Sequence, residues 1–185
     1  PELDELLLMH PFFMERARGL AVITPEAAEE WGVLGPNARA SGLFSQDERR
    51  KRPSGAYRDA GLSESLAASG GDVLARVSIR AAEILESARL IESAFRRIPS
   101  GNFRIRVGME VSPSKGIAAA SVEGPRGAIT AFAEAGGGNC PANVRFFPPS
   151  AMAVQLLPSL LRGIQVEDAF LVIHSLDISF SEVDK

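Results

Sequence analysis

With only one cysteine and two histidines in 185 residues, the chain has little with which to hold a transition metal. Such sites gather several His, Cys or carboxylate ligands at compatible spacing, and His10 and His174 lie far apart in sequence. No metal site is expected within the chain. His10, on a helix face, and His174, in an apolar strand, read as packed or hydrogen-bonded residues. Lone Cys140 excludes an internal disulfide and fits a reducing compartment. Paired with His174 as a nucleophile, it would need a third group to orient the base, and the sequence locates none. No apolar run approaches the roughly 18 to 20 residues that cross a bilayer, and no charged leader precedes an apolar stretch. A direct membrane span is therefore not expected. A general cationic surface is also missing: the net charge is -3. The run "RRKR" at Arg49 to Arg52 reads as a solvated loop, so nucleic acid is not an expected partner. "GGGNC" lacks the lysine and hydroxyl of a phosphate-cradling loop and reads as a turn.

What remains is an ordinary globular composition, 45% hydrophobic and 23% charged, long enough for one domain with a core. The chain begins at Pro1 rather than at methionine, and we read it as part of something longer. "LDELLLMHPFFMERA" spaces Leu3, Leu6, Leu7, His10 and Phe13 as a helix that Pro11 kinks or restarts. "TPEAAEEWG" is a short helix with Thr24 as cap, Pro25 and Glu26 in the first turn and Gly32 as stop. "GPNARASG" reads as a loop, continued by a polar, glycine-containing stretch to Gly71. Between Ser45 and Gly70 we expect poor order or outward projection, because few apolar groups offset the entropy of ordering.

From Asp72 to Ile98 the chain is free of Gly and Pro and rich in helix formers. Val73, Val77, Ile84, Leu85, Ala88, Ile91 and Phe95 form an apolar stripe, with Arg76, Arg80, Glu83, Glu86 and Glu92 largely elsewhere. Pro99 and Gly101 end it. The chain then turns to strand signals: two extended runs joined at Gly124 to Gly127, and a third in "NVRFF". A small antiparallel sheet from roughly Lys115 to Phe147 is expected, giving an α+β fold. "SAMAVQLLPSLLRG" predicts a helix capped by Ser150 and interrupted at Pro158, and "DAFLVIHSLDISF" a buried strand.

Four separated stretches together resemble one family: "AEEWGVLGPNARASG", "DVLARVSIRAAEILESARLIESAFRRIP", "EGPRG" and "LDISFSEVDK". Their order and spacing are similar to the large subunit shared by nickel-iron hydrogenases and the 49-kilodalton component of respiratory NADH:quinone oxidoreductase. The resemblance covers nearly the whole chain and implies the C-terminal portion of such a subunit, residues 1–185, with the upstream half absent. Nickel-bearing members end in D-P-C-x-x-C, whose thiolates hold the metal. Here Asp177 matches the aspartate, Ile178 replaces the proline, and Ser179 and Glu182 stand at the cysteine places. A serine hydroxyl is a poor soft-metal ligand, and one glutamate cannot replace a bridging thiolate.

"DISFSEVD" instead resembles the nickel-free quinone-reductase branch, where this segment helps line a cavity for the quinone headgroup. The resemblance implies Arg126, Asp177, Ser179 and Glu182 as quinone-cavity candidates. Arg126 either faces that cavity or is a turn arginine on a hairpin. Arg39 either supports the cavity or pairs with an acidic residue. No cofactor is expected in this chain. Quinone is the implied acceptor, iron-sulfur clusters lie in partner subunits, and those partners, with membrane subunits, hold the protein on the cytoplasmic face of a membrane. The loop from Phe44 to Ala68 lacks the aromatic-rich stretch usual in the respiratory members. A non-catalytic scaffold paralogue therefore stays open as an alternative, as does, more remotely, a hydrogenase-type large subunit; the portion alone is expected to be inactive.

Overall fold

The computed structural model describes residues 8, 10–43, 57, 62, 68–102, 104 and 113–184. Its first element, α1 (Pro11–Ala17), begins at the proline, whose missing N–H costs nothing in a first turn. The expected helix upstream, at Leu3 to Leu7, lies outside the described residues, as do Arg49 to Arg52 and most of the Ser45 to Gly70 stretch. Helix α2 (Pro25–Glu30) follows its sequence signals closely, the Thr24 hydroxyl accepting from the Ala27 amide at 3.2 Å.

"GPNARA" is helix α3 (Gly35–Ala40), not the expected loop. Pro36 sits in its first turn, where proline is tolerated, and all six residues are buried. Gly35 has φ +63 because its backbone lies against the Arg126 carbonyl, which a Cβ would meet at 2.1 Å. Tertiary packing thus uses Gly and Pro to start a helix here, where they read locally as loop formers.

Helix α4 (Val73–Arg97) is capped by the Asp72 carboxylate, which accepts from Ala75 N and from Gly19 N at 2.7 Å each. It stops at Ile98, which is extended because the next residue is Pro99. The expected apolar stripe divides. Val73 is buried, whereas Ile84, Leu85, Ile91 and Phe95 are exposed among the described residues. Arg76, placed off the stripe by the sequence reading, is fully buried, and Glu86 is nearly so. The stripe is therefore core only in its N-terminal half.

Strands β1 (Gly116–Gly124), β2 (Gly127–Ala135) and β3 (Pro141–Phe147) form an antiparallel meander in the order β1-β2-β3. Gly124 pairs with Gly127, so Pro125 and Arg126 form the two-residue turn of the first hairpin. "GGGNC" forms the second connection, with Cys140 exposed. A register shift at Glu134/Ala135 sits beside that connection.

Helix α5 (Pro149–Leu160) begins two residues earlier than the expected Ser150 cap implied, with Pro148 at its cap position and no side-chain cap. Ser150 is inside the helix and uses its hydroxyl elsewhere. Pro158 does not interrupt it, since a missing amide two residues before the end removes one hydrogen bond and leaves the last turn intact.

The predicted strand is instead helix α6 (Val166–Leu176). Val172, Ser175 and Leu176 are buried at i, i+3 and i+4, while Val166 and Phe170 face outward. A short apolar run is ambiguous by periodicity alone; here Glu167 and Asp168 suit the positive end of a helix. Asp177 ends α6 in the left-handed region, φ 52, and a single turn, α7 (Phe180–Val183), follows.

Ala17, Ile23, Ala28, Val33, Ala38, Val73, Leu156, Leu160, Val172 and Leu176 make one core. It gathers α1, α2, α3, α5 and α6 around the N-terminal end of α4. Each fully buried Val or Leu contributes roughly 1.5 to 3 kcal/mol. The fold is α+β, with the sheet joined to this core where β2 meets α3 and α5.

Candidate functional site

The N-terminal half of α4 carries two arginines one turn apart, Arg76, which the core buries completely, and Arg80, which is partly buried. Arg76 donates through Nη1 to the carbonyls of Gly71 at 2.6 Å and Ala21 at 2.9 Å, and through Nε to Ser175 Oγ at 3.0 Å. These bonds tie α4 to the chain before it and to α6. Burial, and then the nearby Arg80 charge, pull its pKa down to about 10, against the opposing pull of Asp72.

Arg80 lies one turn closer to the end of α6. Its Nη2 donates to Asn37 Oδ1 and to the Leu176 carbonyl, each at 3.0 Å, and Asn37 Nδ2 donates to the same carbonyl at 3.1 Å. Burial lowers the Arg80 pKa, while the charges of Asp177 and Glu83 oppose the shift. The last turn of α6 is thus held by a helix C-terminus interaction with cationic and amide donors.

The hairpin turn reaches the same place from the sheet. Arg126 Nε donates to the Asp177 carbonyl at 2.7 Å, and its Nη2 lies 3.3 Å from Asp177 Oδ1. Arg126 Nη1 is 3.5 Å from Glu182 Oε1, and Arg80 Nε is 3.9 Å from Asp177 Oδ2. Two guanidiniums therefore face two carboxylates at the point where α4, the hairpin, the end of α6 and α7 converge.

Of the residues singled out from sequence, Arg126, Asp177 and Glu182 come together. Ser179 joins through its backbone: its amide donates to Ser150 Oγ at 3.1 Å, while its hydroxyl turns outward to Ser181 Oγ at 2.9 Å. Ser150 in turn donates through Oγ to Glu182 Oε2, and its amide donates to the same oxygen at 3.2 Å. Arg39 stands to one side and pairs with acidic residues, Nε to Glu83 Oε1 at 2.6 Å and Nη1 near Glu123 Oε1 at 3.6 Å. His174 occupies the last turn of α6.

Sequence reasoning missed Arg80, Asn37 and Ser150. For Arg80 a signal existed: at 100° per residue it falls on the line of Val73, Val77 and Ile84 rather than opposite them. An arginine on an apolar line needs a buried acceptor. Asn37 and Ser150 carried no comparable local sign.

Beside the cluster opens a cleft of about 510 Å³, lined by Arg80, Glu83, Ile84, Ala88, Ile91 and Asp177 among others. One end is charged and the long wall is aliphatic, which suits a flat molecule with carbonyl groups on an apolar body. It does not suit a nickel thiolate centre. At the places where thiolates would stand, Ser179 offers an outward hydroxyl, and Glu182 is already engaged by Ser150 and Arg126. Among the described residues no group of three or more His, Cys, Asp or Glu is arranged to hold a metal ion.

Comparison with known proteins adds the lineage. The family model for the respiratory-chain NADH dehydrogenase 49 Kd subunit matches residues 1–115 and 104–185. An NADH-quinone oxidoreductase subunit of Syntrophobacter fumaroxidans is 34% identical over 186 residues, covering 100% of this chain and 49% of that protein. Its counterpart in Solibacter usitatus, also an NADH-quinone oxidoreductase subunit, is 31% identical, again over 100% of this chain and 49% of its own length. The chain spans about half the length of the curated relatives it matches. Among solved structures, a chain of the membrane-bound sulfane sulfur reductase, an archaeal respiratory membrane complex, superposes with a TM-score of 0.89 at 28% identity, over 98% of this chain and 50% of that one. No helix among the described residues is long and apolar enough to cross a membrane. With the family model matched over residues 1–115 and 104–185 and the motifs converging on one cluster, the chain belongs to the family of the 49-kDa subunit of respiratory-chain NADH dehydrogenase.

Proposed function

We propose that residues 1–185 are the C-terminal portion of a 49-kilodalton-type component of a membrane respiratory complex, and that they form one wall of a quinone pocket. The observation that carries this reading is the pairing of Arg126 and Arg80 with Asp177 at the mouth of an aliphatic cleft. The names of the relatives, both NADH-quinone oxidoreductase subunits, support it.

In this reading the chain supplies no redox group. Electrons reach the pocket through iron-sulfur clusters of partner subunits, which, with membrane subunits, hold the protein on the cytoplasmic face of the membrane. The residues here do the remaining work. Ile84, Ala88 and Ile91 receive the apolar body of the acceptor. Arg80, at the charged end of the cleft, brings a guanidinium to the place where negative charge develops on the quinone oxygens as it is reduced, and Arg126 orients Asp177 beside it. Asp177 holds both guanidiniums in place, and Glu182 fixes the far side of Arg126.

The test is Asp177→Asn in the full-length protein within its complex. Asparagine tolerates the left-handed backbone at this position, so the turn survives while the charge is lost. Quinone reduction should fall about tenfold or more, as for loss of one positioned electrostatic contact, with reduction of the upstream clusters unchanged. Unchanged quinone kinetics would favour a non-catalytic scaffold. Stoichiometric nickel in the intact complex would instead point to a hydrogenase-type subunit.

A further inference from the structure

Behind the cleft wall one buried guanidinium serves two carboxylates. Arg39, on α3, is 1% exposed. Its Nε donates to Glu83 Oε1 on α4 at 2.6 Å, and its Nη1 lies 3.6 Å from Glu123 Oε1 on β1. The Glu123 side chain is buried and that of Glu83 is 12% exposed. Glu83, and not Glu123, lines the cleft, beside Arg80 and Asp177. Charged groups gather here from each neighbouring element: Arg39 from α3, Arg80 from α4, Glu123 from β1, Arg126 from the hairpin turn, Asp177 and Glu182 from the end of α6 and from α7. One turn further along α4, Glu86 pairs with Arg89. From Glu123 to Glu182 the line holds four carboxylates, those of Glu123, Glu83, Asp177 and Glu182, against the three guanidiniums of Arg39, Arg80 and Arg126.

We propose that Glu83 is the proton carrier of the cleft, taking a proton from water and passing it to the acceptor oxygen that meets the charged end. The inference rests on the quinone reading. Reduction of a quinone to the quinol takes two electrons and two protons. The electrons come from the iron-sulfur clusters of partner subunits. At Glu83 the Oε–H bond breaks as an O–H bond forms on the quinone, and water then returns a proton to the carboxylate; the other quinone oxygen takes its proton from water directly. Three features single out Glu83. The line already carries one carboxylate more than its guanidiniums balance, so negative charge arriving on the acceptor draws a proton in. Protonating Glu83 leaves Arg39 facing Glu123, so no buried guanidinium loses its counter-charge. Protonating Asp177 would take counter-charge from Arg126 and Arg80 together, and Glu182 is engaged by Ser150 and Arg126. Glu83 also stands where both water and the acceptor reach it.

The experiment uses the full-length protein in its assembled complex, with a short-chain ubiquinone as acceptor. Glu83→Gln should lower kcat for quinone reduction about 100-fold, as for loss of a general acid, with reduction of the upstream clusters unchanged. Glu83→Ala should be equally slow, and added formate should restore its rate in proportion to the formic acid present, which repair of a merely structural defect would not do. Glu123→Gln keeps Glu83 but removes a like charge from the far side of Arg39. The carrier works in its protonated form, so the pH at which the rate falls on going alkaline should move down by about one unit. A full rate in Glu83→Gln, no recovery of Glu83→Ala with formate, or an unmoved profile in Glu123→Gln would each overturn the proposal. Asp177→Asn is read beside them: slowed quinone reduction there with a full rate in Glu83→Gln keeps the pocket and sinks the proton role, whereas unchanged kinetics in both sinks the pocket itself.

Discussion

Arg126, at the tip of the first hairpin, donates through Nε to the main-chain carbonyl of Asp177 at 2.7 Å, across 51 residues of sequence. The bond pins the left-handed turn that ends α6 to the sheet, and the same guanidinium faces the Asp177 and Glu182 carboxylates. Arg126→Ala should cost the full-length protein about 2 kcal/mol, the range for hydrogen bonds to a charged group. Arg126→Lys should recover less than half, because a single ammonium cannot make the forked contacts. Denaturant unfolding of the two variants checks this.

Gly35 and Gly127 bring two backbones together. A Cβ on Gly35 would lie 2.1 Å from the Arg126 carbonyl oxygen, at a φ of +63 that disfavours other residues. Gly35→Ala should therefore destabilise by more than about 3 kcal/mol and displace Arg126 from Asp177. Gly32 also has a positive φ but open space around it, so Gly32→Ala should cost only about 1 to 2 kcal/mol. Thermal unfolding of the pair separates collision from conformational strain.

Asp72 caps α4 and also accepts from Gly19 N, both at 2.7 Å. Replacement by alanine loses the cap and leaves a second amide without its acceptor, for a cost of about 2 to 3 kcal/mol. Asparagine keeps one acceptor oxygen, so Asp72→Asn should cost roughly half as much. Hydrogen exchange at Ala75 and Gly19 should show both amides losing protection in the alanine variant.

At the start of α2, Glu26 has its pKa lowered, first by a hydrogen bond from its own backbone amide and second by the Thr24 hydroxyl. A depressed carboxylate pKa means that the folded state binds the proton less tightly than the unfolded one. The contribution of Glu26 is therefore present above its ordinary value of 4.5 and is lost as pH falls through its lower folded value. Carbon-detected titration of labelled glutamate should find its midpoint below 4.5. Thr24→Ala should bring it only part of the way back, since the larger cause remains, and should remove about 1 kcal/mol of capping.

Much of the fold was legible because its signals are local. Thr24 and Asp72 announce helix starts within three residues of the amides they cap, and Pro99 dictates where α4 stops. Gly124 and Gly127 bracket the hairpin turn. The apolar run of α6 failed the same approach: strand and helix both tolerate it, and only the acidic first turn leans toward helix. The α3 segment failed for the opposite reason, since Gly35 and Pro36 look like loop residues until a neighbouring backbone explains them.

The sequence by itself determined the punctuation, the composition and the ordered motifs that resemble one family, including the absence of thiolates at Ser179 and Glu182. Tertiary structure decided which charges meet. Arg126 and Asp177 are separated by 51 residues, Arg80 and Leu176 by 96, and Asn37 and Leu176 by 139. No periodicity of 2 or 3.6 residues encodes such pairs; they exist because burial forces each polar group to find a partner within reach, and reach is set by the packed fold. The same logic leaves Ile91 and Phe95 exposed: the sequence makes them one apolar line with Val73, and only packing shows where this part of the chain stops covering it.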